Sequence, residues 1–212
     1  LIQKMVKHAN DVDFLDKLLR DHMLKSLKQE RKEQAHFSQK ISSIRLRVNE
    51  MLEKSIDSPS SMNGTIVDAA NYSLSGEGKR LRPIITWFMG VKVYGLKESA
   101  ILPLLKSLEY MHTASLIFDD LPSQDNASFR RGRPTVHEAY NVAVAELTGL
   151  YLTQKAIEEQ TSLEEYDTKT VLKLIRYTAQ ITAEMCKGQA MDLNSKGKNL
   201  TLEQLNSMCF YK

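Results

Sequence analysis

The sequence predicts an all-α fold in which several helices pack into one bundle. Apolar residues recur at helical spacing along almost the whole chain, and runs of alternating β-branched residues do not occur. Glycine and proline are scarce, at 9 and 5 of 212 residues, so few positions interrupt a helix. Because these helices are too apolar to be stable alone, we expect them to bury their apolar faces against one another.

The helices follow one another and are separated by short polar segments. Residues 1–36 predict a charged amphipathic helix, on which apolar side chains recur every four residues at Leu15, Leu19, Met23 and Leu27. We interpret this part as a helical extension, either a solvated helix or a linker from an upstream domain. Further helices are predicted over 37–56, 65–74, from Pro83 onward, and over 95–120, 135–160, 168–193 and 201–212.

Several residues support the predicted helix ends. Pro83 is at a favoured first helical position, and Ser99 is a predicted N-cap of the long apolar helix. Pro122 would end or bend that helix. The polar segments 57–64 and 192–199 are predicted to be loops.

Length and composition are those of an ordinary globular protein. With 212 residues and 42% hydrophobic content, the chain can bury one sizeable core. The net charge of +3 gives no global reason to expect nucleic acid or an anionic membrane as a partner. We find no signal peptide and no apolar run of the ~20 residues that a transmembrane helix needs.

The cysteines and the chain ends support two further expectations. Two cysteines without metal spacing indicate a reducing compartment. We therefore expect a cytoplasmic protein, with an organelle as the alternative. The chain begins at Leu1 rather than Met and ends without a stop signal, so we expect a piece of a longer protein.

The first charged cluster lies in the segment LIFDDLPSQDNASFRRGRPT, residues 116–135. Asp119 and Asp120 would end the long helix at the negative pole of its dipole, where acids are unfavourable unless a cation compensates them. Together with Asp125 they offer only oxygen ligands, which favours Mg²⁺. The alternative is that the aspartates cap the next turn and form surface salt bridges with the neighbouring arginines.

A second cluster, GEGKRLRP at 76–83, is mainly cationic. Its basic residues precede a predicted helix start, where unpaired N–H groups and the positive dipole end favour an anion, most naturally phosphate. It is not a nucleotide P-loop, because Arg80 stands where that motif has Ser or Thr after Gly-Lys. The alternative is a basic helix start that binds nothing.

Three other positions give weaker signals. His112 shares a helix face with Asp119, so it is either a satisfied core histidine or part of the site. Zinc is not expected, because no second His or Cys lies at ligand spacing. Gln189 and Asp192 either form the polar end of a helix or belong to the site. Lys212 means nothing from the sequence pattern alone.

In their order along the chain, GEGKRLRP, EYMHTASLIFDDLPSQD, FRRGRPT, CKGQAMDL and FYK resemble the trans-isoprenyl diphosphate synthases. The similarity is greatest to the short-chain branch, which includes farnesyl and geranylgeranyl diphosphate synthases. It covers residues 37–212, as the N-terminal part of a prenyl diphosphate synthase domain. The resemblance implies an all-α bundle around a central cavity, incomplete here at its C-terminal end, and a homodimer or higher homo-oligomer.

The resemblance also implies a reaction, in which isopentenyl diphosphate condenses head-to-tail with an allylic diphosphate in the presence of Mg²⁺. Asp119 and Asp125 would hold Mg²⁺ on the allylic diphosphate, with Asp120 between them as a third catalytic acid. Arg130 and Lys212 would contact the same diphosphate. Isopentenyl diphosphate would be bound by Lys79, Arg82, His112 and Arg131. The family's second aspartate-rich motif would lie beyond residue 212.

These expected roles agree with the chemistry. An allylic diphosphate that ionises leaves a carbocation and a highly charged leaving group, which metal ions and fixed arginines stabilise. The cation needs a dry apolar chamber, and the second substrate needs its own anion clamp to aim its double bond.

Product length is expected to depend on the helix before the aspartates. Small Ala114 and flexible Met111 would leave room for a long chain, which predicts geranylgeranyl diphosphate. Phe118 lies on the same stripe and could close part of that space, leaving a C15 product.

Two alternatives to a synthase are a non-catalytic regulatory or docking subunit and a terpene cyclase. A non-catalytic relative would be expected to lose the aspartates, which this chain keeps. A cyclase has no second diphosphate to bind, so the cationic cluster would have no role. A prenyltransferase that forms one part of a larger bifunctional terpene synthase is a further possibility.

Overall fold

The computed structural model describes residues 12–53, 56, 64–76 and 78–211, and these residues are mainly helical. The expected all-α fold is confirmed. In chain order the elements are α1 (Val12–Glu53), α2 (Gly64–Leu74), α3 (Leu81–Trp87), a π-helical segment (Phe88–Val93), α4 (Glu98–Asp120), β1 (Phe129–Arg130), β2 (Arg133–Pro134), α5 (Val136–Ala139), α6 (Val142–Thr161), α7 (Thr168–Ser195) and α8 (Leu202–Tyr211).

The chain divides into two compact units within α1, the first ending at Arg47 and the second beginning at Val48. In the first unit the apolar side chains of Met23 and Leu27 are 62% and 49% exposed. A hydrogen bond joins Gln29 to Glu33 one turn later. These features are those of a helix with a solvated face.

The boundary that the sequence suggested between residues 36 and 37 falls inside α1, which is one continuous helix rather than two. No glycine or proline lies between Val12 and Glu53, so nothing in the local sequence interrupts the helix. The origin of residues 1–36 in an upstream domain stays a prediction, and residues 1–11 lie outside the described part of the chain.

The core of the second unit forms where α4 packs against α6, the most extensive helix pair in the described residues. On α6, Ala145, Gly149, Leu152 and Ala156 repeat every three or four residues and are buried. The small side chains let the two helices approach closely. At Gly149 a Cβ atom would lie 2.6 Å from Cζ of Phe118, so the ring has room only because this residue is glycine.

Two predicted helix starts differ from the structure. Helix α3 begins at Leu81, so Pro83 is its third residue. Proline fits there because the first N–H groups of a helix are unpaired. The N-cap of α4 is Lys97 rather than Ser99, whose hydroxyl instead donates to Glu165 at 3.3 Å. At its other end α4 stops at Asp120, before Pro122.

As far as the chain is described, every helix is too short or too polar to span a lipid bilayer.

Candidate active site

After α4 the chain folds back, so that Asp125 returns to the end of the helix. The N–H of Asp125 donates to the carbonyl of Asp119 at 2.9 Å, and the N–H of Ala127 donates to the carbonyl of Asp120 at 3.2 Å. These bonds satisfy carbonyls that the end of a helix leaves unpaired. The turn therefore brings together the backbones of Asp119 and Asp125, the two candidate metal ligands.

Asp120 lies between them in sequence, but its side chain is paired with Arg130. Its carboxylate accepts two hydrogen bonds from Arg130, from Nε to Oδ2 and from Nη2 to Oδ1, both at 2.7 Å. The Asp120 side chain is 6% exposed. The hydrogen bond to Asp120 raises the pKa of Arg130. This bidentate geometry fixes one edge of the guanidinium and leaves Nη1 to bind a ligand.

A short hairpin, which the sequence did not predict, carries the arginines over α2 and α4. Strands β1 and β2 are antiparallel and pair Arg130 with Arg133. The turn residues Arg131 and Gly132 both have positive φ, 52° and 77°, as the tight turn of a two-residue hairpin requires. Arg133 stacks on the ring of Tyr72 at 4.1 Å, and this contact anchors the hairpin to α2.

Tyr72 also holds the hairpin by a hydrogen bond. Its hydroxyl donates to the carbonyl of Pro134 at 2.8 Å. Behind these contacts lies a small cavity of about 60 Å³, lined among others by Thr113, Asp120 and Arg130. The hairpin is thus held at both strands close to the aspartate turn.

His112 is influenced by arginines of both charged segments, the cationic cluster at 76–83 and the hairpin that follows the aspartates. Its pKa is lowered to about 4, first by burial and then by the positive charges of Arg82, Arg131, Arg130 and Arg80. The two charged segments meet at Gly78, where an added Cβ atom would lie 2.7 Å from Nη1 of Arg131. The imidazole is neutral at pH 7, and a bound anion would offset the arginine charges.

The basic cluster divides in the structure, because Arg80 turns inward while Lys79 and Arg82 are exposed. Arg80 is 6% exposed and pairs with Glu109 of α4, with 2.8 Å between Nη1 and Oε2. The guanidinium of Arg80 is therefore committed to protein acceptors, unlike the side chains of its two basic neighbours.

Helix α7 reaches the aspartate turn through residues near its C-terminal end. Gln189 donates to the side chain of Gln124 at 2.9 Å. Lys196, which follows the helix, donates to the carboxylate of Asp125 at 3.0 Å and to the carbonyl of Gln124 at 2.9 Å. Sequence reasoning missed Lys196, which lies in a polar loop without any distinctive pattern. Asp192 is half-buried on the same helix.

The donor set at the aspartate turn suits Mg²⁺. Within the described residues no three His, Cys, Asp or Glu side chains form a group that could enclose a metal. Mg²⁺ needs no such cage, because it keeps several waters and is often bound by one or two carboxylates together with substrate phosphates. The ammonium of Lys196 on Asp125 shows that this carboxylate already attracts a cation.

The three residues expected to control product length lie along α4 and contact its neighbours. Met111 accepts a weak hydrogen bond from Thr182 of α7 at 3.8 Å. Ala114 is 1% exposed, and the ring of Phe118 rests on Gly149 of α6. Lys212, the remaining predicted site residue, lies outside the described part of the chain.

A larger apolar cavity lies toward the other end of α4. It has a volume of about 400 Å³ and is lined by α3, the π-helical segment, α4 and α7, with Ile85, Met89, Ile101, Leu104 and Leu174 among its walls. Leu104 and Asp119 are 15 residues apart on α4, which at 1.5 Å per residue is about 22 Å along the helix. The charged end and the apolar cavity are therefore well separated.

Known proteins are similar to this chain in both sequence and architecture. Residues 63–212 match the family described as polyprenyl synthetase. The chain is 34% identical over 172 residues to a farnesyl diphosphate synthase of Haemophilus influenzae, covering 80% of this chain and 58% of the relative. It is 40% identical over 169 residues to a geranylgeranyl diphosphate synthase of Cyanophora paradoxa, covering 78% of this chain and 55% of the relative.

Among solved structures, a geranyltransferase from Legionella pneumophila superposes with a TM-score of 0.78 at 29% identity, covering 82% of this chain and 63% of that one. The chain thus spans less than two thirds of the length of each of these relatives. The matched region includes the basic cluster, the aspartate turn and the hairpin arginines. The chain belongs to the polyprenyl synthetase family.

Proposed function

We propose that this protein is a prenyltransferase that condenses isopentenyl diphosphate head-to-tail with an allylic diphosphate. The observation that carries the proposal is that Arg131 of the hairpin lies directly against Gly78 of the basic cluster, while Arg130 of the same hairpin is bound to Asp120 at the end of α4. One end of α4 thus offers a site for a metal-bound diphosphate and a separate site for a diphosphate without metal. A reaction that joins two diphosphate substrates needs both.

The metal-dependent site is formed by the aspartate turn and the hairpin. Asp119 and Asp125 would hold Mg²⁺, which when bound neutralises charge developing on the leaving diphosphate. Arg130 would offer Nη1, which donates to none of the described residues, to the same diphosphate, while Asp120 holds the other edge of the guanidinium. Because that edge is fixed before substrate arrives, little reorganisation is needed as the charge develops.

The cationic site consists of Lys79, Arg82, Arg131 and the imidazole of His112. It would orient isopentenyl diphosphate so that its terminal alkene carbon faces C1 of the allylic substrate. In the reaction the allylic C1–O bond breaks and diphosphate leaves with the bonding electrons. The alkene forms the new C–C bond, and loss of a proton restores a double bond.

A long product, geranylgeranyl diphosphate, is supported by the apolar surroundings of α4. The growing chain would extend from the aspartates toward the N-terminal end of this helix. Ala114 presents only a methyl group along that direction, and the apolar cavity of about 400 Å³ lies farther along the same helix. Phe118 is held against Gly149, so its ring is accommodated by α6.

A terpene cyclase accounts for the site less well. It would use the aspartate turn but would have no second diphosphate for Lys79, Arg82 and Arg131. The aspartates also argue against a purely regulatory subunit.

A second copy of the chain is the proposed protein partner. Leu147 and Leu150 of α6 are 54% and 53% exposed, and Leu172 and Ile181 of α7 are 61% and 65% exposed. Large apolar side chains that are exposed on two neighbouring helices favour burial in an interface. The cytoplasmic location and a fused terpene synthase domain stay predictions.

Lys79→Ala in the full-length protein should raise the KM for isopentenyl diphosphate about 10-fold or more, while the KM for the allylic substrate changes less than about 2-fold. The reason is that Lys79 belongs to the cationic site and not to the metal-dependent site. Steady-state kinetics with each substrate varied in turn would measure the difference. Lys169→Ala, an exposed lysine on α7, is the matched control. An equal rise in both KM values would refute the division into two sites.

Ala114→Phe should shorten the main product from C20 to C15 or less, because the ring would fill the path of the growing chain. Chromatography of the products after dephosphorylation would identify the chain length. Ala114 is fully buried, so we also expect a loss of stability of about 1–3 kcal/mol from overpacking. Ala179→Phe, on an exposed position of α7, controls for the added ring. If the unmutated enzyme stops at C15, or if Ala114→Phe makes C20, this helix face does not set the length.

A further inference from the structure

Arg80 stands between two exposed cations but is itself anchored inside the protein. Its guanidinium donates from Nη1 to Glu109 at 2.8 Å and from Nε to the side-chain oxygen of Asn49 at 2.8 Å. Nη2 donates to the carbonyls of Leu74 at 2.6 Å and Gly76 at 3.2 Å. The side chain therefore joins the end of α1, the end of α2 and the middle of α4.

The backbone of Arg80 is also unusual. Its φ of 48° and ψ of 35° place it in the left-handed region, which is unfavourable for a residue with a Cβ atom. Such a conformation persists when surrounding contacts determine it. The chain turns at Arg80, between Lys79 and the first residue of α3. The anchored guanidinium therefore determines the direction of the backbone on either side of this turn.

Arg80 also lies close to Arg131, the hairpin residue of the cationic site. A Cβ atom on Gly78 would lie 2.7 Å from Nη1 of Arg131 and 3.3 Å from Nη1 of Arg80, so both guanidinium groups lie directly against this glycine. Glu109 is one turn before His112 on α4 and shares its side of the helix. The buried pair thus adjoins two members of the cationic site, Arg131 and His112.

We propose that the buried Arg80–Glu109 pair is a positioning device for the isopentenyl diphosphate site. It fixes the segment 78–82 so that Lys79 and Arg82 face the same ligand as Arg131 and His112. Neither member of the pair touches the ligand. The inference rests on the proposed function, because it assigns a role at that same site.

A purely electrostatic role for Glu109 predicts the opposite result when its charge is removed. Glu109 is a negative charge beside a site that binds anions, so Glu109→Gln would by Coulomb attraction alone tighten anion binding. Positioning predicts weaker binding, since a neutral amide cannot hold the buried guanidinium of Arg80 as firmly. The direction of the change therefore distinguishes the two roles.

The experiment is calorimetric titration of isopentenyl diphosphate, with Mg²⁺ chelated, into the wild-type protein, Glu109→Gln and Arg80→Lys. Arg80→Lys keeps the charge but loses the fork that reaches four acceptors. We expect the Kd to rise about 10-fold or more in both variants. Binding of an unreactive allylic diphosphate analogue with Mg²⁺ should change less than about 2-fold. Glu159→Gln, which removes a half-buried glutamate paired with Lys106, is the matched control.

The other possible results would contradict either the positioning role or the proposed function. Unchanged or tighter binding of isopentenyl diphosphate in Glu109→Gln would overturn the positioning role. So would an equal loss for both ligands, or unfolding of both variants by circular dichroism, because the pair would then merely support the fold. If the wild-type protein binds no isopentenyl diphosphate, the proposed function itself fails and the inference fails with it.

Discussion

Asp119→Asn and Asp125→Asn should each abolish the Mg²⁺-dependent binding of an allylic diphosphate or a bisphosphonate. Loss of a residue that merely supports a metal ligand costs about 10–100-fold in affinity, so we expect at least about 100-fold from loss of a ligand. The amide has nearly the shape of the carboxylate but lacks the charge that holds a hard cation. Calorimetry with a bisphosphonate, with and without Mg²⁺, would measure the effect.

Asp167→Asn is a suitable control for this experiment. Asp167 is an exposed aspartate that caps α7 by accepting from the N–H of Thr170. Asparagine is an equally good N-cap, so this variant should bind as the wild type does. Unchanged affinity in both Asp119→Asn and Asp125→Asn would rule out the metal site at this turn.

Asp120→Asn should reduce both stability and turnover, for a reason different from metal binding. It removes the charge that fixes Arg130, and breaking a buried pair costs about 3–5 kcal/mol. Because the Arg130 side chain is 36% exposed, water offsets part of that cost and we expect about 2–3 kcal/mol. For a protein of this size the corresponding fall in Tm is about 4–12 °C. Thermal unfolding followed by circular dichroism would test it.

The matched control is Glu158→Gln, which breaks the exposed pair with Lys155 on α6. Surface pairs contribute about 0–1 kcal/mol, so this Tm should fall by no more than about 4 °C. Equal shifts in the two variants would mean that the Asp120–Arg130 pair is an ordinary surface contact.

The helical part of the fold was readily predicted from the sequence, because periodicity records which faces are buried. Helix α4 ends at Asp120, as the apolar pattern and Pro122 indicated. The hairpin was not foreseen, because two-residue strands leave no alternating pattern. Its turn depends on left-handed backbone at Arg131 and Gly132, of which only the glycine is a recognisable signal.

The members of the candidate site and their roles stay predictions, but two ion pairs with buried carboxylates show where local sequence is a poor guide to side-chain direction. Arg80 and Arg82 look equivalent in GKRLR, yet among the described residues the acceptors Asn49 and Glu109, which are distant in the chain, bind Arg80. Asp120 similarly looks like a third metal ligand until Arg130 is placed beside it. Side-chain direction in these cases depends on tertiary partners, which local sequence does not contain.

The most direct test of two distinct diphosphate sites is a pair of calorimetric titrations on one protein. Isopentenyl diphosphate should bind with Mg²⁺ chelated, and an unreactive allylic diphosphate analogue should bind only when Mg²⁺ is present. With Mg²⁺ and the analogue already saturating, isopentenyl diphosphate should still bind at one equivalent per chain. Competition between the two ligands, or a requirement of both for Mg²⁺, would contradict the account.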